Sequence, residues 1–199
     1  MKKLINKLIN VDKKVLIFLI IICIIGIITG SFFMTVLNTN DKDIILTSLD
    51  EFIKNNCRSS FTNNIIIILG YAIIIWLLGI SVIGLPIVII LLFIKSFLLS
   101  FTISSFIMKY KFKGIIYGII YNIPNQVINL IIYIYLGVYS IKLSSFIMNA
   151  IIHKRSLDFK NITNRYLLVF GVSIIVLSLT TLYETYIMPM LLQKIISIL

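Results

Sequence analysis

Long apolar runs separated by short polar stretches dominate this chain. Four regions carry almost no charge, at residues 15–37, 65–108, 114–152 and 166–188. An α-helix needs about 20 apolar residues to cross the hydrocarbon core of a bilayer. The second region covers two such lengths, so the pattern predicts five spans at about 15–37, 65–83, 87–108, 114–152 and 166–188. We therefore expect an all-α, polytopic integral membrane protein in which residues 1–199 form a single membrane domain.

Two prolines interrupt the longer apolar regions. Proline lacks an amide donor and clashes with the preceding turn, so it ends or kinks a helix. Gly84 and Pro86 therefore predict a tight hairpin between the second and third spans. Pro124, followed by Asn125 and Gln126, predicts a break at 122–126 inside the fourth span. Such a break is tolerated in lipid only where protein or water satisfies the freed backbone groups.

Residues 38–64 form the only long polar loop of the sequence. Within this loop, apolar side chains recur at helical spacing, at Ile44, Ile45, Leu49 and Phe52. The pattern predicts an amphipathic helix outside the membrane, whose start Asp41 or Asp43 could cap. The apolar face of this helix either contacts a partner protein or lies on the membrane and covers the other spans. The sequence leaves both alternatives open.

Basic residues set the expected orientation, because cytoplasmic loops of membrane proteins carry an excess of lysine and arginine. Residues 1–14 hold five lysines and residues 153–165 form a basic loop, which places both segments inside the cell. The N-terminus is then cytoplasmic, and the loop at 38–64 is outside. The basic segment at 109–113 also falls outside under this count. Either the rule is locally broken, or one of the proline-interrupted regions is re-entrant.

The composition agrees with a membrane location. Of the 199 residues, 60% are hydrophobic and only 13% are charged, and the mean hydropathy is +1.10. In soluble domains about a quarter of the residues are charged. The net charge of +11 would suggest a nucleic-acid partner in a soluble protein. In a membrane protein, lysine and arginine instead meet anionic lipid headgroups, so we expect the lipid bilayer and no nucleic acid as a partner.

Residues suited to catalysis or metal binding are scarce. The chain has a single histidine, His153, in a basic loop, and no pair of acids is placed for two-carboxylate chemistry. Two cysteines without a histidine cluster make no zinc site. We therefore expect a protein that is not an enzyme and that binds no metal or cofactor.

Lys95 and Glu184 are ionisable residues that lie inside the apolar regions. Because a charge in a membrane segment is costly, such residues usually face a partner, a cavity or a protein interface. Lys95 follows the predicted hairpin by nine residues, which places it about 13 Å deep at a rise of 1.5 Å per residue. Its side chain either extends toward a lipid headgroup or pairs with Glu184. If Glu184 is near the outer end of the last span, however, Lys95 and Glu184 lie at different depths in the membrane.

Three serines follow this lysine at four-residue spacing, at Ser96, Ser100 and Ser104. Small residues four apart lie on one helix face, where they let two backbones approach closely and let hydroxyl groups bond across. This serine stripe therefore predicts a packing face. The face serves either within the chain or between chains, in self-association.

Four separated motifs carry a family resemblance. They are "WLLGISVIGLPIVIILLFIKSFLLSFTISSF" (Trp76–Phe106), "NIPNQ" (Asn122–Gln126), "LYETYIMP" (Leu182–Pro189) and "GSFF" (Gly30–Phe33). The first resembles the core of the stage II sporulation protein M family, and the others are similar to its Pro-Gln-Asn region, its acidic-plus-proline closing motif and the end of its first span. The chain departs from the family in having serines where glycines usually follow the lysine. The amides after Pro124 also stand in the other order.

The resemblance implies a non-enzymatic membrane protein of endospore formation that acts at the septum during engulfment of the forespore. It also implies two partners, the stage II sporulation proteins D and P, which are peptidoglycan hydrolases that such a protein would recruit or anchor. The candidate functional or packing residues are Gly84, Pro86, Lys95, Ser96, Ser100, Ser104, Pro124, Asn125, Gln126, Glu184 and Pro189.

Two rival functions stay open from the sequence. Broken helices beside a buried lysine and polar amides are typical of a substrate site near the bilayer midplane. The chain could therefore be a small transporter or permease subunit. The other rival is a structural membrane protein without a defined partner.

Overall fold

The described part of the chain is built from six α-helices and two π-helical turns. A computed structural model describes residues 12–54, 60–81, 83–153, 159–191 and 194, and no strand occurs among them. The α-helices are α1 (Lys13–Val36), α2 (Thr39–Lys54), α3 (Phe61–Gly79), α4 (Gly84–Asn122), α5 (Ile128–His153) and α6 (Phe159–Leu182). The π-helical turns are Ile123–Val127, between α4 and α5, and Tyr183–Ile187, after α6. The N-terminal segment before residue 12 and the loop at 154–158 lie outside the described residues.

Five segments of these helices are long and apolar enough to cross a membrane. They are Lys13–Val36, Phe61–Gly79, Gly84–Ile120, Asn125–Ala150 and Thr163–Leu191. Helices suit this role because they satisfy every backbone N–H and C=O group internally, where lipid offers no partner. Large apolar side chains such as Ile28, Phe32 and Leu179 are exposed, as expected of a surface in contact with lipid. The prediction of an all-α, polytopic membrane protein with about five spans is confirmed.

Helix α5 forms the centre of the bundle. It contacts α1, α3, α4 and α6, and its consecutive residues 136–141 are all buried. Tyr133 and Leu136 have no exposed surface and belong to the same core cluster as Leu19 and Leu92. The other spans therefore surround α5 and expose apolar side chains on their outer faces.

A tight turn joins α3 to α4 at the position of the first proline. The N–H groups of Ile80 and Ser81 donate to carbonyls of the last turn of α3, and the Gly84 N–H donates to the Ser81 carbonyl at 3.1 Å. A Cβ atom on Gly84 would lie 1.8 Å from the Leu78 carbonyl oxygen, so only glycine fits this approach. Pro86 lies in the first turn of α4, where a helix does not use its N–H groups and a proline breaks nothing.

The second proline also breaks no helix. The chain stays helical through Ile123–Val127, where the backbone forms a π-helical turn in place of the break predicted at 122–126. A π-helical turn inserts extra backbone into a helix, which lets the helix continue past a residue that lacks an amide donor. The structure therefore does not show the proline-broken spans that the sequence predicts.

The chain reverses its direction at Lys111, within the basic segment that separates the predicted spans at 87–108 and 114–152. This residue has φ 53° and ψ −125°, in contrast to the helical residues on either side. It divides α4 into a first arm (residues 84–110) and a second arm (residues 112–122). The second arm returns along the first, because Gly114 lies against the Phe106 carbonyl and Gly118 lies beside Ile103.

The reversal brings the basic segment at 109–113 against helix α2. The Lys109 ammonium lies 2.8 Å from Asp50 Oδ2, and the Tyr110 hydroxyl donates to Asp50 Oδ1 at 2.6 Å. Segment 109–113 and helix α2 therefore lie at the same end of the helix bundle. The turn between α3 and α4 lies at the opposite end of the first arm of α4, where the Ser144 hydroxyl donates to the Ser81 carbonyl at 2.9 Å.

Helix α2 corresponds to the amphipathic helix predicted in the loop at 38–64. It begins at Thr39, two residues before Asp41, so neither Asp41 nor Asp43 caps its start. Asp41 lies instead in the first turn, where a carboxylate complements the unpaired N–H groups of the helix.

Candidate intramembrane polar site

Lys95 lies in the middle of the first arm of α4, eleven residues after the helix begins. Its Nζ atom is 5.8 Å from the ring centroid of Tyr71 and 5.9 Å from that of Tyr133. The face of an aromatic ring carries negative charge density, which attracts a cation most strongly where water is excluded. The two rings therefore stabilise the Lys95 ammonium within the membrane without a carboxylate.

Backbone hydrogen bonds hold both tyrosine rings in place. The Tyr133 hydroxyl donates to the Ile68 carbonyl of α3 at 2.9 Å, and the Tyr71 hydroxyl donates to the Leu91 carbonyl of α4. The two ring centroids are 4.9 Å apart, within the range of favourable aromatic pairs. Helices α3, α4 and α5 thus each contribute one residue to the environment of the ammonium group.

Glu184 is buried, with 8% of its surface exposed, and it ends a chain of polar side chains between α5 and α6. Its carboxylate accepts a hydrogen bond from Asn125 Nδ2. The Asn125 Oδ1 atom accepts from Asn129 Nδ2 at 2.9 Å, and the Asn129 Oδ1 atom accepts from the Thr180 hydroxyl at 2.6 Å. Buried polar groups cost little only when they are paired in this way, so the four residues form one amide–carboxylate chain.

Both π-helical turns contribute to this chain. Asn125 lies in the turn Ile123–Val127, and Glu184 lies in the turn Tyr183–Ile187. Each turn has a proline in or close behind it, Pro124 in the first and Pro189 two residues after the second. Because single π-helical turns inside α-helices occur frequently at functional sites, the pairing of these two turns marks a candidate site.

Lys95 and Glu184 do not form a salt bridge. No N–O contact of 4.0 Å or less joins these two described residues, although their charges attract each other at longer range. Asn125 partners the carboxylate, and the two tyrosine rings partner the ammonium. The direct pairing that the sequence left open is therefore replaced by separate neutral partners.

A cavity of about 230 Å³ lies beside Lys95. It is lined by Lys95, Leu98, Leu99, Thr102, Asn122 and Gln126. Asn122 is buried and donates to the Gly118 carbonyl at 2.9 Å. The cavity thus joins Lys95 to Gln126, two residues that the sequence singles out separately.

The serine stripe packs against α1. Ser96 and Ser100 are buried, and the Ser100 hydroxyl donates to Ser31 Oγ at 3.2 Å. A Cβ atom on Gly26 would lie 2.2 Å from Ser96 Oγ, and one on Gly30 would lie 2.3 Å from the Phe97 carbonyl oxygen. The small residues of both helices thus permit a very close approach of α1 to α4.

The remaining candidates lie apart from this contact. Ser104 is half-buried, and its neighbour Ser105 is the buried residue, with its hydroxyl 3.5 Å from Met34 Sδ. Gly84 and Pro86 belong to the turn between α3 and α4, and Pro86 is exposed. Pro189 is buried after the second π-helical turn. The candidate residues thus divide among the polar site, the α1–α4 contact and the turn.

Sequence reasoning missed four residues of the polar site. Asn129 and Thr180 stand four residues from Asn125 and Glu184, a spacing that places polar groups on one helix face and could have revealed them. The sequence gives no comparable signal for Tyr71 and Tyr133, because an aromatic residue in an apolar span is ordinary. Their role follows only from the packing of α3, α4 and α5.

Comparison with known proteins adds the identity of the family. Residues 16–189 match SpoIIM, described as stage II sporulation protein M, and this match covers most of the chain. No curated protein and no solved structure matches the chain. The match includes every residue of the polar site and both π-helical turns. The chain therefore belongs to the stage II sporulation protein M family, which makes it a sporulation-related, multi-pass membrane protein.

Proposed function

We propose that this protein is a non-enzymatic scaffold that recruits or anchors peptidoglycan hydrolases at the septum during engulfment. Membership of the stage II sporulation protein M family supports this role. The partners in the proposal are the stage II sporulation proteins D and P, which the resemblance of the sequence implies. Its location is the septal or engulfing membrane, with the N-terminus in the cytoplasm.

The observation that carries the proposal is the fixed position of helix α2. Asp50 of α2 binds both Lys109 and Tyr110, next to the reversal in α4. The helix is therefore tied to the end of a span and not left as a free loop. A helix held in this way presents a fixed surface outside the bilayer, as recruitment of a partner requires.

Apolar residues of α2 suggest how a partner would bind. Ile44, Ile45 and Leu49 line a cavity of about 250 Å³ together with Phe101 of α4. Ile44 is 64% exposed. Helix α2 thus covers part of α4 and still offers an exposed apolar residue to a partner. Covering of the spans and contact with a partner, the two alternatives that the sequence left open, therefore both contribute to the proposal.

Co-purification from sporulating cells tests the scaffold. We expect both hydrolases to be recovered with the wild-type protein and to lose their septal localisation when the protein is deleted. Ile44→Glu should reduce the recovery, whereas Thr47→Glu, which adds the same charge to an exposed position of the same helix, should not. The scaffold proposal fails if neither hydrolase is recovered and both still reach the septum in the deletion strain.

A second candidate, a small transporter or permease subunit, is favoured by the cavity beside Lys95. A buried lysine, amide side chains and irregular helical turns near the midplane are features of substrate sites in transporters. A solute-flux assay in proteoliposomes distinguishes the two candidates. Loss of flux in Lys95→Met would support transport, and loss of complex assembly without any measurable flux would support the scaffold.

A further inference from the structure

Two side chains at the cavity beside Lys95 have unused hydrogen-bonding capacity. In the described part of the chain, neither the Lys95 ammonium nor the Gln126 amide has a hydrogen-bond partner among the protein groups. The ammonium lies over the faces of two tyrosine rings, which attract its charge but satisfy none of its three N–H donors. The cavity is thus lined by donors that lack acceptors.

Charge and depth restrict what could occupy this cavity. A cation near the bilayer midplane is costly unless an acceptor or a negative charge compensates it. Glu184 attracts the Lys95 ammonium only at longer range, because its carboxylate accepts a hydrogen bond from Asn125 and forms no salt bridge with Lys95. Phosphate groups of lipids lie at the headgroup level, too far from a residue in the middle of a span. The complementary group at this depth is a carboxylate on a side chain within the membrane.

The cavity is accessible and large enough for such a group. Leu98, which lines it, is 49% exposed, so the cavity is open to the lipid-facing surface between the two arms of α4. A volume of about 230 Å³ exceeds the roughly 30 Å³ that one water occupies several times over. It can therefore accept the side chain of an acidic residue.

We propose that the cavity beside Lys95 binds an aspartate or glutamate side chain that a transmembrane helix of a partner protein carries near the bilayer midplane. The Lys95 ammonium pairs with the carboxylate, and the Gln126 amide donates a further hydrogen bond to it. Charge-assisted hydrogen bonds of this kind are about twice as strong as neutral ones. The inference rests on the scaffold proposal, because it adds an intramembrane contact to the recruitment of a partner.

A synthetic guest helix tests this contact directly. The full-length protein is reconstituted in neutral phosphatidylcholine vesicles with a polyleucine helix long enough to span them, bearing one central glutamate. A matched helix carries glutamine at the same position, and energy transfer between fluorescent labels measures the association. We expect the glutamate helix to bind about tenfold more tightly than the glutamine helix, as an additional 1.4 kcal/mol would produce.

Variants of the protein test whether Lys95 causes the preference for the glutamate helix. Lys95→Met should abolish the preference for glutamate, whereas Lys95→Arg should keep it. Lys142→Met, which removes an exposed lysine from α5, serves as the matched control and should also keep it. Equal binding of the two guest helices to the wild-type protein overturns the inference, as does a preference that survives in Lys95→Met. Because no hydrolase takes part, this failure would leave a positive co-purification result, and with it the scaffold, intact.

Discussion

Asn125 donates a hydrogen bond from its side-chain amide to the carboxylate of Glu184, and each of the two residues lies in a π-helical turn. The bond joins the segment before α5 to the segment after α6. It supplies a neutral partner for a carboxylate that is almost fully buried. The bond therefore helps to fix the relative position of these two spans.

Removing this amide should destabilise the protein. Hydrogen bonds between transmembrane helices contribute about 0.6 kcal/mol on average, but a bond to a charged group contributes about 1.5–3 kcal/mol in other settings. We expect Asn125→Ala to lower the free energy of unfolding by about 1–2 kcal/mol, measured by denaturant titration in detergent micelles. Asn149→Ala, at an exposed position near the end of α5, should change it by less than about 0.5 kcal/mol.

A double-mutant cycle with Glu184→Ala separates the bond from other effects of the substitutions. If the two residues interact as the structure shows, their coupling energy should lie between about 0.5 and 3 kcal/mol. Strict additivity of the two single substitutions would contradict a direct contribution of this bond to stability.

The close contact of α1 with α4 yields a second prediction. A Cβ atom at Gly30 would lie 2.3 Å from a backbone oxygen of Phe97, which cannot move without displacing α4. Gly30→Ala should therefore destabilise the protein by about 1–3 kcal/mol, the usual cost of overpacking. The measurement is again the free energy of unfolding in detergent.

Gly70 provides the matched control, because a Cβ atom there would meet no other atom within 4 Å. Alanine is more stable than glycine inside a helix by about 0.5–1 kcal/mol, so Gly70→Ala should have no effect or a stabilising one. Similar losses in both variants would show that the contact of α1 with α4 is looser than described.

The sequence predicts the spans better than it predicts the path between them. Length and hydropathy alone require five helices, because lipid excludes any other backbone structure for these apolar runs. The basic segment "KYKFK" separates the predicted spans at 87–108 and 114–152. It holds neither of the residues that usually mark a turn, glycine and proline, so the sequence does not locate the reversal at Lys111 itself. Tertiary contacts of Gly114 and Asp50 place the turn there. Pro124 provides a strong local signal, but a π-helical turn accommodates it without a break.

The polar site was only partly predictable for a related reason. Lys95 and Glu184 are conspicuous because a charge in an apolar run is rare, whereas their partners depend on the relative depths of helices far apart in the sequence. Asn125 and Glu184 are separated by 59 positions, and no local pattern relates them. Tyr71 and Tyr133, whose rings lie beside Lys95, stand among ordinary apolar residues, so no sequence pattern indicates their role.

The backbone of Lys111 yields a third prediction. With φ 53° and ψ −125°, this residue adopts a conformation that costs a residue with a side chain about 1–3 kcal/mol and that glycine adopts readily. Lys111→Gly should therefore raise the free energy of unfolding by about 1 kcal/mol. Lys142→Gly, the same substitution at an exposed position inside α5, should lower it by about 1 kcal/mol. Destabilisation by both substitutions would be evidence against a reversal at Lys111.

The contact of Lys109 with Asp50 yields a prediction about membrane topology. Because a salt bridge of 2.8 Å joins them, helix α2 and the segment at 109–113 must lie on one side of the membrane. The basic residues at 1–14 and 153–165 predict that this side is outside the cell. Single cysteines at two exposed positions there, Asp43→Cys and Lys111→Cys, should both react with a membrane-impermeant maleimide on intact cells, in a background that carries Cys23→Ala and Cys57→Ala.

The opposite side is tested with Asn164→Cys, at an exposed position near the start of the last span. This cysteine should react only after the cells are permeabilised, because it lies in the basic segment at 153–165, which is predicted to be inside the cell. The three labelling results separate two errors. Different behaviour of the cysteines at positions 43 and 111 would contradict the pairing of α2 with the reversal in α4. The inverse pattern at all three positions would keep that pairing and show that the N-terminus lies outside. The pairing of α2 with the reversal requires only that the cysteines at positions 43 and 111 react alike. The orientation of the protein also depends on the result at position 164.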